Sequence, residues 1–234
     1  MHPVNPVNTS KAPGIHRRHL AIVTALTCSR APLLLLFLAL VACDLVIPVT
    51  VGNIGMHSFM RWAGLALLVL SSVTDLFDGL LARKWGVVTR FGAVCDPLMD
   101  KFFFAVVFPV VTALFFLRSE IVFGTLALVF TVLHLMRDMW VVTLRTLAAG
   151  KADLKADFIG KLRTAISFPI GILAYCHVAL AGQWPWFTTG AAAVVVAALF
   201  IFGLALNIYS TVSYTRRFRF AIDEALRPGG ADGQ

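Results

Sequence analysis

Charge is scarce in this chain. Of its 234 residues, 14% are Asp, Glu, Lys or Arg, whereas 59% are hydrophobic, and mean hydropathy is +0.85. No soluble domain of this length needs so much apolar surface, so the composition points to a polytopic α-helical membrane protein. Cysteine is sparse as well. Cys28, Cys43, Cys95 and Cys176 are scattered in or beside apolar segments, which excludes a metal-binding spacing and predicts free thiols. The alternation required of a transmembrane β-barrel is missing. So are an internal repeat and any composition break that would mark a second domain. Residues 1–19 lack an apolar stretch with a small-residue cleavage site; with Pro3, Pro6 and Pro13 they read as a short tail rather than a signal peptide.

What is present is a series of six apolar runs, at roughly 25–48, 60–82, 93–117, 119–143, 162–182 and 187–210, each long enough to cross a bilayer as a helix. The expected fold is an all-α integral membrane protein with six transmembrane helices. Basic residues set its orientation. Of the 20 lysines and arginines, all but Arg61 and Arg118 fall at the amino end, the second-to-third connection, the fourth-to-fifth connection or the carboxyl end. These lie on one side, so both termini are expected to be cytoplasmic, in the cell's inner membrane. The net charge of +8 is then a property of that face. It attracts anionic lipid and does not indicate nucleic acid. The expected layout is a tail over 1–19, a membrane domain over 20–218 and a second tail over 219–234. Trp184 and Trp186 read as an aromatic belt on the outer side.

Against this apolar background four carboxylates stand out. Asp75, Asp78, Asp96 and Asp100 are separated by three, eighteen and four residues. On helices, spacings of three and four bring each pair onto one face. Gly79, Ala82 and Arg83 share the stripe of the first pair, and Gly92 that of the second. The short connection makes the two helices antiparallel neighbours, with all four acids near the cytoplasmic boundary. Ionisable groups in a bilayer are costly and usually functional. Two registered pairs form an oxygen-rich cage suited to hard divalent cations such as Mg²⁺. Solvated helix-end charges and a cation relay in a transporter are the competing readings. No Ser–His or Cys–His pair is placed for a covalent intermediate.

A second group is basic. Arg137 and Arg145 are eight residues apart and near one helical face; Lys161 and Arg163 open the next helix on the same membrane side. Four cations facing the carboxylates would suit an acceptor that carries its own phosphate. Plain positive-inside charge is the alternative for each of them. Lys151 and Lys155 read as solvated loop residues, Asp44 as a boundary residue, and His134 and His177 as core or interface histidines.

The pattern D-x2-D-G-x2-A-R-x8-G-x3-D-x3-D, running from Asp75 to Asp100, resembles the signature of the CDP-alcohol phosphotransferases at every fixed position. The resemblance covers about 20–218 and implies six transmembrane helices, a CDP-linked lipid donor such as CDP-diacylglycerol, two Mg²⁺ or Mn²⁺ ions, and usually a homodimer. It implies that a hydroxyl of the acceptor attacks the lipid-bearing phosphorus and CMP leaves. Asp75, Asp78 and Asp96 would ligate the metals, with Asp100 a further ligand or the general base. Gly79, Ala82, Arg83, Thr89 and Gly92 would line the pocket of the CDP-lipid.

Other stretches resemble bacterial phosphatidylglycerophosphate synthases. Thr24-Ala-Leu-Thr27-Cys-Ser-Arg30 stands where that group reads Asn-Leu-Leu-Thr-x-x-Arg, with Thr24 in place of Asn, and Thr24, Thr27 and Arg30 would serve the CDP-lipid. Arg137-Asp138, Leu144-Arg145 and Gly160-Lys161-Leu-Arg163-Thr164 resemble Arg-Glu, Leu-Arg and Gly-Lys-x-Lys-Thr of the same group. The resemblance implies synthesis of phosphatidylglycerophosphate from CDP-diacylglycerol and glycerol 3-phosphate, with phosphatidylglycerol, inositol phosphate or serine as alternative acceptors.

Overall fold

Six long helices carry the fold, and their residues explain why they form and where they stop. The computed structural model describes residues 13–86, 90–148 and 158–226, which are helical apart from short connections. The long helices are α1 (Pro13–Val46), α2 (Ile54–Trp85), α3 (Arg90–Leu117), α4 (Ile121–Leu147), α5 (Phe158–Leu180) and α6 (Gly190–Arg217); a short α7 (Arg219–Ala225) follows. All six long helices are apolar and long enough to cross a membrane. Inside a bilayer every backbone N–H and C=O must be satisfied within the segment, and a helix does this for any apolar sequence.

The helices outrun the apolar runs read from sequence. With 34 and 32 residues, α1 and α2 exceed what a bilayer core needs; at 1.5 Å per residue they are about 50 Å long against a hydrocarbon thickness of ~30 Å. Hydropathy sees only the apolar part, while the polar extensions continue the same hydrogen-bond ladder. Asp75 falls 21 residues after the start of α2, about 32 Å along the axis, so the acids sit roughly one hydrocarbon thickness from the opposite end.

Caps and turns close the elements. Pro13 occupies the first position of α1, where no N–H is needed. Thr189 caps α6 by accepting from the Ala192 N–H at 3.2 Å. Between α3 and α4 the chain turns through Ser119, whose φ of 61° is left-handed, and the Glu120 N–H returns to the Phe115 carbonyl at 3.0 Å.

Helix α1 packs against both α2 and α3; α3 packs against α4 and α5, and α6 against α4 and α5. Among the described residues α2 packs mainly against α1 and α5, and it approaches α3 where Asp75 and Asp100 share Arg30. A short connection limits how far two helix ends part, but it does not decide which third helix fills the angle between them.

The core is aromatic. Phe103 and Phe168 approach to 4.6 Å between ring centroids, and Phe108 and Phe130 to 4.7 Å. Gly203 lets α6 come close, since a Cβ there would lie 2.6 Å from the Phe130 ring. The outer surface is apolar, with Leu35, Leu36, Leu76, Phe77, Ile201 and Phe202 exposed, whereas Arg30, Asp78, Arg163, Asn207 and Ser210 are buried. Apolar outside and polar inside is the arrangement a lipid solvent selects.

Candidate active site

Three helices meet at one guanidinium. Arg30 of α1 donates through Nη1 to Asp75 of α2 and, at 3.1 Å, to Asp100 of α3; its Nη2 donates to Asp78 of α2 at 3.0 Å. Thr27, one turn earlier on α1, donates its hydroxyl to Asp78 at 2.9 Å. The Asp78 side chain is only 4% exposed, while those of Asp75 and Asp100 are 30% and 29% exposed. One acid is thus sealed against α1, and the other two face outward. A cluster of one guanidinium and three carboxylates is tolerable here because the charged groups are tied together by hydrogen bonds.

Asp75 and Asp100 open into a cavity of about 740 Å³, within the size range of small-molecule sites. Ser72 and Lys101 share their wall, built from α2 and α3; Arg137, Asp138, Arg145, Lys161 and Arg163 form the wall built from α4 and α5, and Phe104 and Tyr214 also line the cavity. The four cations singled out from sequence are therefore brought to the same cavity as two of the acids.

Most of that basic wall is anchored by hydrogen bonds to neighbouring side chains. Arg163, 3% exposed, donates to Asp138 at 2.6 Å and to Asn207 at 3.1 Å and contacts the His134 ring at 3.0 Å. Arg137 donates to Asp138 at 3.0 Å and to Ser210 at 2.6 Å. Arg145 donates to the Tyr214 hydroxyl at 3.1 Å. Arg137 and Arg145 lie over the Tyr214 ring, at 5.0 and 5.4 Å from its centroid. Lys161 is exposed. The buried Nε–H groups of Arg145 and Arg163 have no hydrogen-bond partner among the described residues, so this wall retains donor capacity. At Gly160 a Cβ would come within 3.2 Å of the Tyr214 hydroxyl and 3.4 Å of Arg137.

The anchors on α6 were not singled out from sequence. Asn207, Ser210 and Tyr214 are buried on one face, and their i, i+3, i+7 spacing inside an apolar span is the signal that would have found them. His134 is a buried histidine, as expected, but it also touches Arg163. Asp44, read as a boundary residue, is hydrogen-bonded to His57 at 2.7 Å and Arg61 at 2.9 Å. The four cysteines are free thiols.

Thr24 is half-buried one turn before Thr27. Gly79 faces open space. Ala82 and Arg83 lie on α2, and Gly92 and Asp96 on α3, but their side chains are outside the described residues, as are Thr89, Lys151 and Lys155 altogether. Among the described residues no three acids, histidines or cysteines are grouped as metal ligands. The three described carboxylates converge instead on Arg30, a shared position that takes positive charge.

Residues 20–206 match the CDP-alcohol phosphatidyltransferase family. The chain belongs to that family. Among similar proteins, a probable phosphatidylglycerophosphate synthase of Mycobacterium tuberculosis is 37% identical over 112 residues, covering 48% of this chain and 49% of that protein. A CDP-diacylglycerol–glycerol-3-phosphate 3-phosphatidyltransferase of Cereibacter sphaeroides is 32% identical over 104 residues, covering 44% of each chain. A protein of the same name from Sodalis glossinidius is 54% identical over 44 residues, 18% of this chain and 24% of that one. The chain thus spans about half the length, or less, of the curated relatives it matches.

Proposed function

We propose that the chain transfers the phosphatidyl group of CDP-diacylglycerol to the hydroxyl of glycerol 3-phosphate, releasing CMP and phosphatidylglycerophosphate at the cytoplasmic face of the membrane. One observation carries this reading: Asp75 and Asp100 line a single cavity together with Arg137, Arg145, Lys161 and Arg163. Membership of the phosphatidyltransferase family and the names of the relatives support it.

The acidic wall fits divalent cations. Its donors are hard carboxylate oxygens, and three of them already share one positive group, Arg30. Asp75, Asp78, Asp96 and Asp100 would hold two Mg²⁺ or Mn²⁺ ions, which would supply charge neutralisation for the donor's pyrophosphate and the departing CMP. The chain's own residues do the rest. Thr27 and Arg30 orient Asp78 and Asp75. Asp100, open to the cavity, accepts the proton of the acceptor hydroxyl. The hydroxyl oxygen forms its bond to the lipid-bearing phosphorus as the bond from that phosphorus to the CMP oxygen breaks, and the electron pair leaves on CMP. The basic wall binds the phosphate of glycerol 3-phosphate, fixing which hydroxyl approaches. Positioning and electrostatics carry most of such a transfer.

The test is purified enzyme with CDP-diacylglycerol and a panel of acceptors, scored by CMP release and product mass. Glycerol 3-phosphate should be the preferred acceptor, ahead of phosphatidylglycerol, inositol phosphate and serine. A preference for serine, which carries no phosphate, would remove the role given to the basic wall.

A further inference from the structure

The two basic residues that break the positive-inside pattern, Arg61 and Arg118, line one cavity. It lies between α1, α2, α3 and α5, at the end of the bundle away from the carboxylates, and has a volume of about 310 Å³. Cations on that side work against the topology signal, so two of them converging on one space calls for a local reason. Arg61 has one: its Nε donates to Asp44 at 2.9 Å, and Asp44 also pairs with His57 at 2.7 Å. Arg118 does not: its guanidinium makes no hydrogen bond or ion pair among the described residues. Partial loss of water, and then the neighbouring Arg61, push the Arg118 guanidinium below the ordinary arginine range, against the smaller opposing pull of Glu120 and Asp44. Glu120 does not line the cavity and lies beside His177, at 3.7 Å. The cavity therefore holds two guanidinium groups against one carboxylate, itself already shared.

The remaining walls are apolar, including Leu45 and Leu117, whose side chains are exposed on the outer surface. Trp62 and Trp184 pack together at this end, with ring centroids 5.7 Å apart, as tryptophans do at the level of lipid headgroups. A cationic rim above apolar walls at that depth matches a phosphate with acyl chains below it.

We propose that this cavity is a binding site for a phosphate group, supplied by an anionic phospholipid of the leaflet opposite the active site. Arg118, with no ion-pair partner among the described residues, is one of its cations, and Arg61, fixed by Asp44, is the second. The site is independent of the transfer chemistry.

Purified full-length protein, stripped of co-purified lipid, is titrated separately with phosphatidylglycerol, phosphatidylcholine and inorganic phosphate. Lipid retention is read by native mass spectrometry and phosphate by calorimetry. The wild type should retain one more phosphatidylglycerol than Arg118→Gln, whose affinity for that lipid should be about tenfold or more weaker, the loss of one charge-assisted contact. Arg118→Lys should keep most of the binding. Arg219→Gln, a change at an exposed arginine of α7, should behave as wild type. Leu45→Trp, which fills the mouth from an exposed position, should abolish the same binding without touching a charge. Phosphate binding that is lost in Arg118→Gln, with no selective lipid retention, would keep the phosphate site but make the free anion its source. Equal retention by wild type, Arg118→Gln and Leu45→Trp, or phosphatidylcholine held as well as phosphatidylglycerol, overturns the proposal.

Discussion

The two walls of the large cavity are built on opposite plans. On one, Asp75 and Asp100 line the cavity and share a buried arginine, Arg30, with Asp78, which is sealed against α1. On the other, four cations line the surface around a single acid, Asp138. The acidic wall is short of positive charge and is suited to gaining cations. The basic wall is short of negative charge and is suited to gaining an anion. They also differ in support. The acids are held by buried residues of α1, Thr27 and Arg30, whereas the arginines are held by Asn207, Ser210 and Tyr214 of α6. Changes on the first wall should therefore act on chemistry, and changes among the supports of the second on acceptor affinity and stability.

The largest effect is expected where the acidic wall loses charge. Asp75→Asn, Asp78→Asn and Asp96→Asn should each nearly abolish CMP release while membrane insertion is retained, because amides cannot supply the charge that hard cations require. Chelator should stop the wild type, and Mg²⁺ or Mn²⁺ should restore it. Full activity in metal-free buffer would break the contrast between the walls. Asp100→Asn separates proton acceptor from ligand: turnover should fall while CDP-diacylglycerol still binds in the presence of metal, and loss of donor binding would make Asp100 a ligand instead.

Next comes the acid within the basic wall. Asp138 is the partner of both Arg137 and Arg163. Asp138→Asn leaves a buried guanidinium under-compensated, which should cost about 3–5 kcal/mol. The readout is a lower unfolding midpoint in detergent together with weaker glycerol 3-phosphate binding. An unchanged midpoint would mean that the arginines do not depend on it.

The smallest effect is expected at Thr27. Thr27→Val removes one of two described donors to Asp78, at about 1 kcal/mol. Turnover should drop roughly fivefold, with the acceptor KM unchanged. A shift in acceptor KM instead would show that the walls are not separable in this way.

The walls also differ in how far sequence alone discloses them. The acids fall within 26 residues of chain, Asp75 to Asp100, so periodicity and motif both register them. The basic wall is assembled from α4 and α5 with supports on α6, and each cation taken singly resembles topology charge. Nothing in the spacing of Asn207, Ser210 and Tyr214 says which arginine each will meet. The six helices were legible because hydrophobicity sets them one at a time. The position of α1 against both α2 and α3 was not, because packing between remote segments leaves no local period. Arg30 shows the limit clearly: the resemblance assigns it to the CDP-lipid, yet in the fold it is 1% exposed among three acids.

If the donor and acceptor ends of the reaction belong to different walls of the cavity, one variant separates them most directly. Arg145 lines the cavity and retains a buried Nε–H with no hydrogen-bond partner among the described residues. Loss of its contact with an acceptor phosphate should cost about 1.5–3 kcal/mol, a rise of roughly 10–150-fold in KM for glycerol 3-phosphate. Steady-state kinetics of Arg145→Ala with both substrates varied, beside Lys151→Ala and Lys155→Ala as equally basic controls, should show that rise for glycerol 3-phosphate alone, with the KM for CDP-diacylglycerol and both controls near wild type. Equal rises for both substrates, or controls as damaging as Arg145→Ala, would contradict the division of the cavity into a donor wall and an acceptor wall.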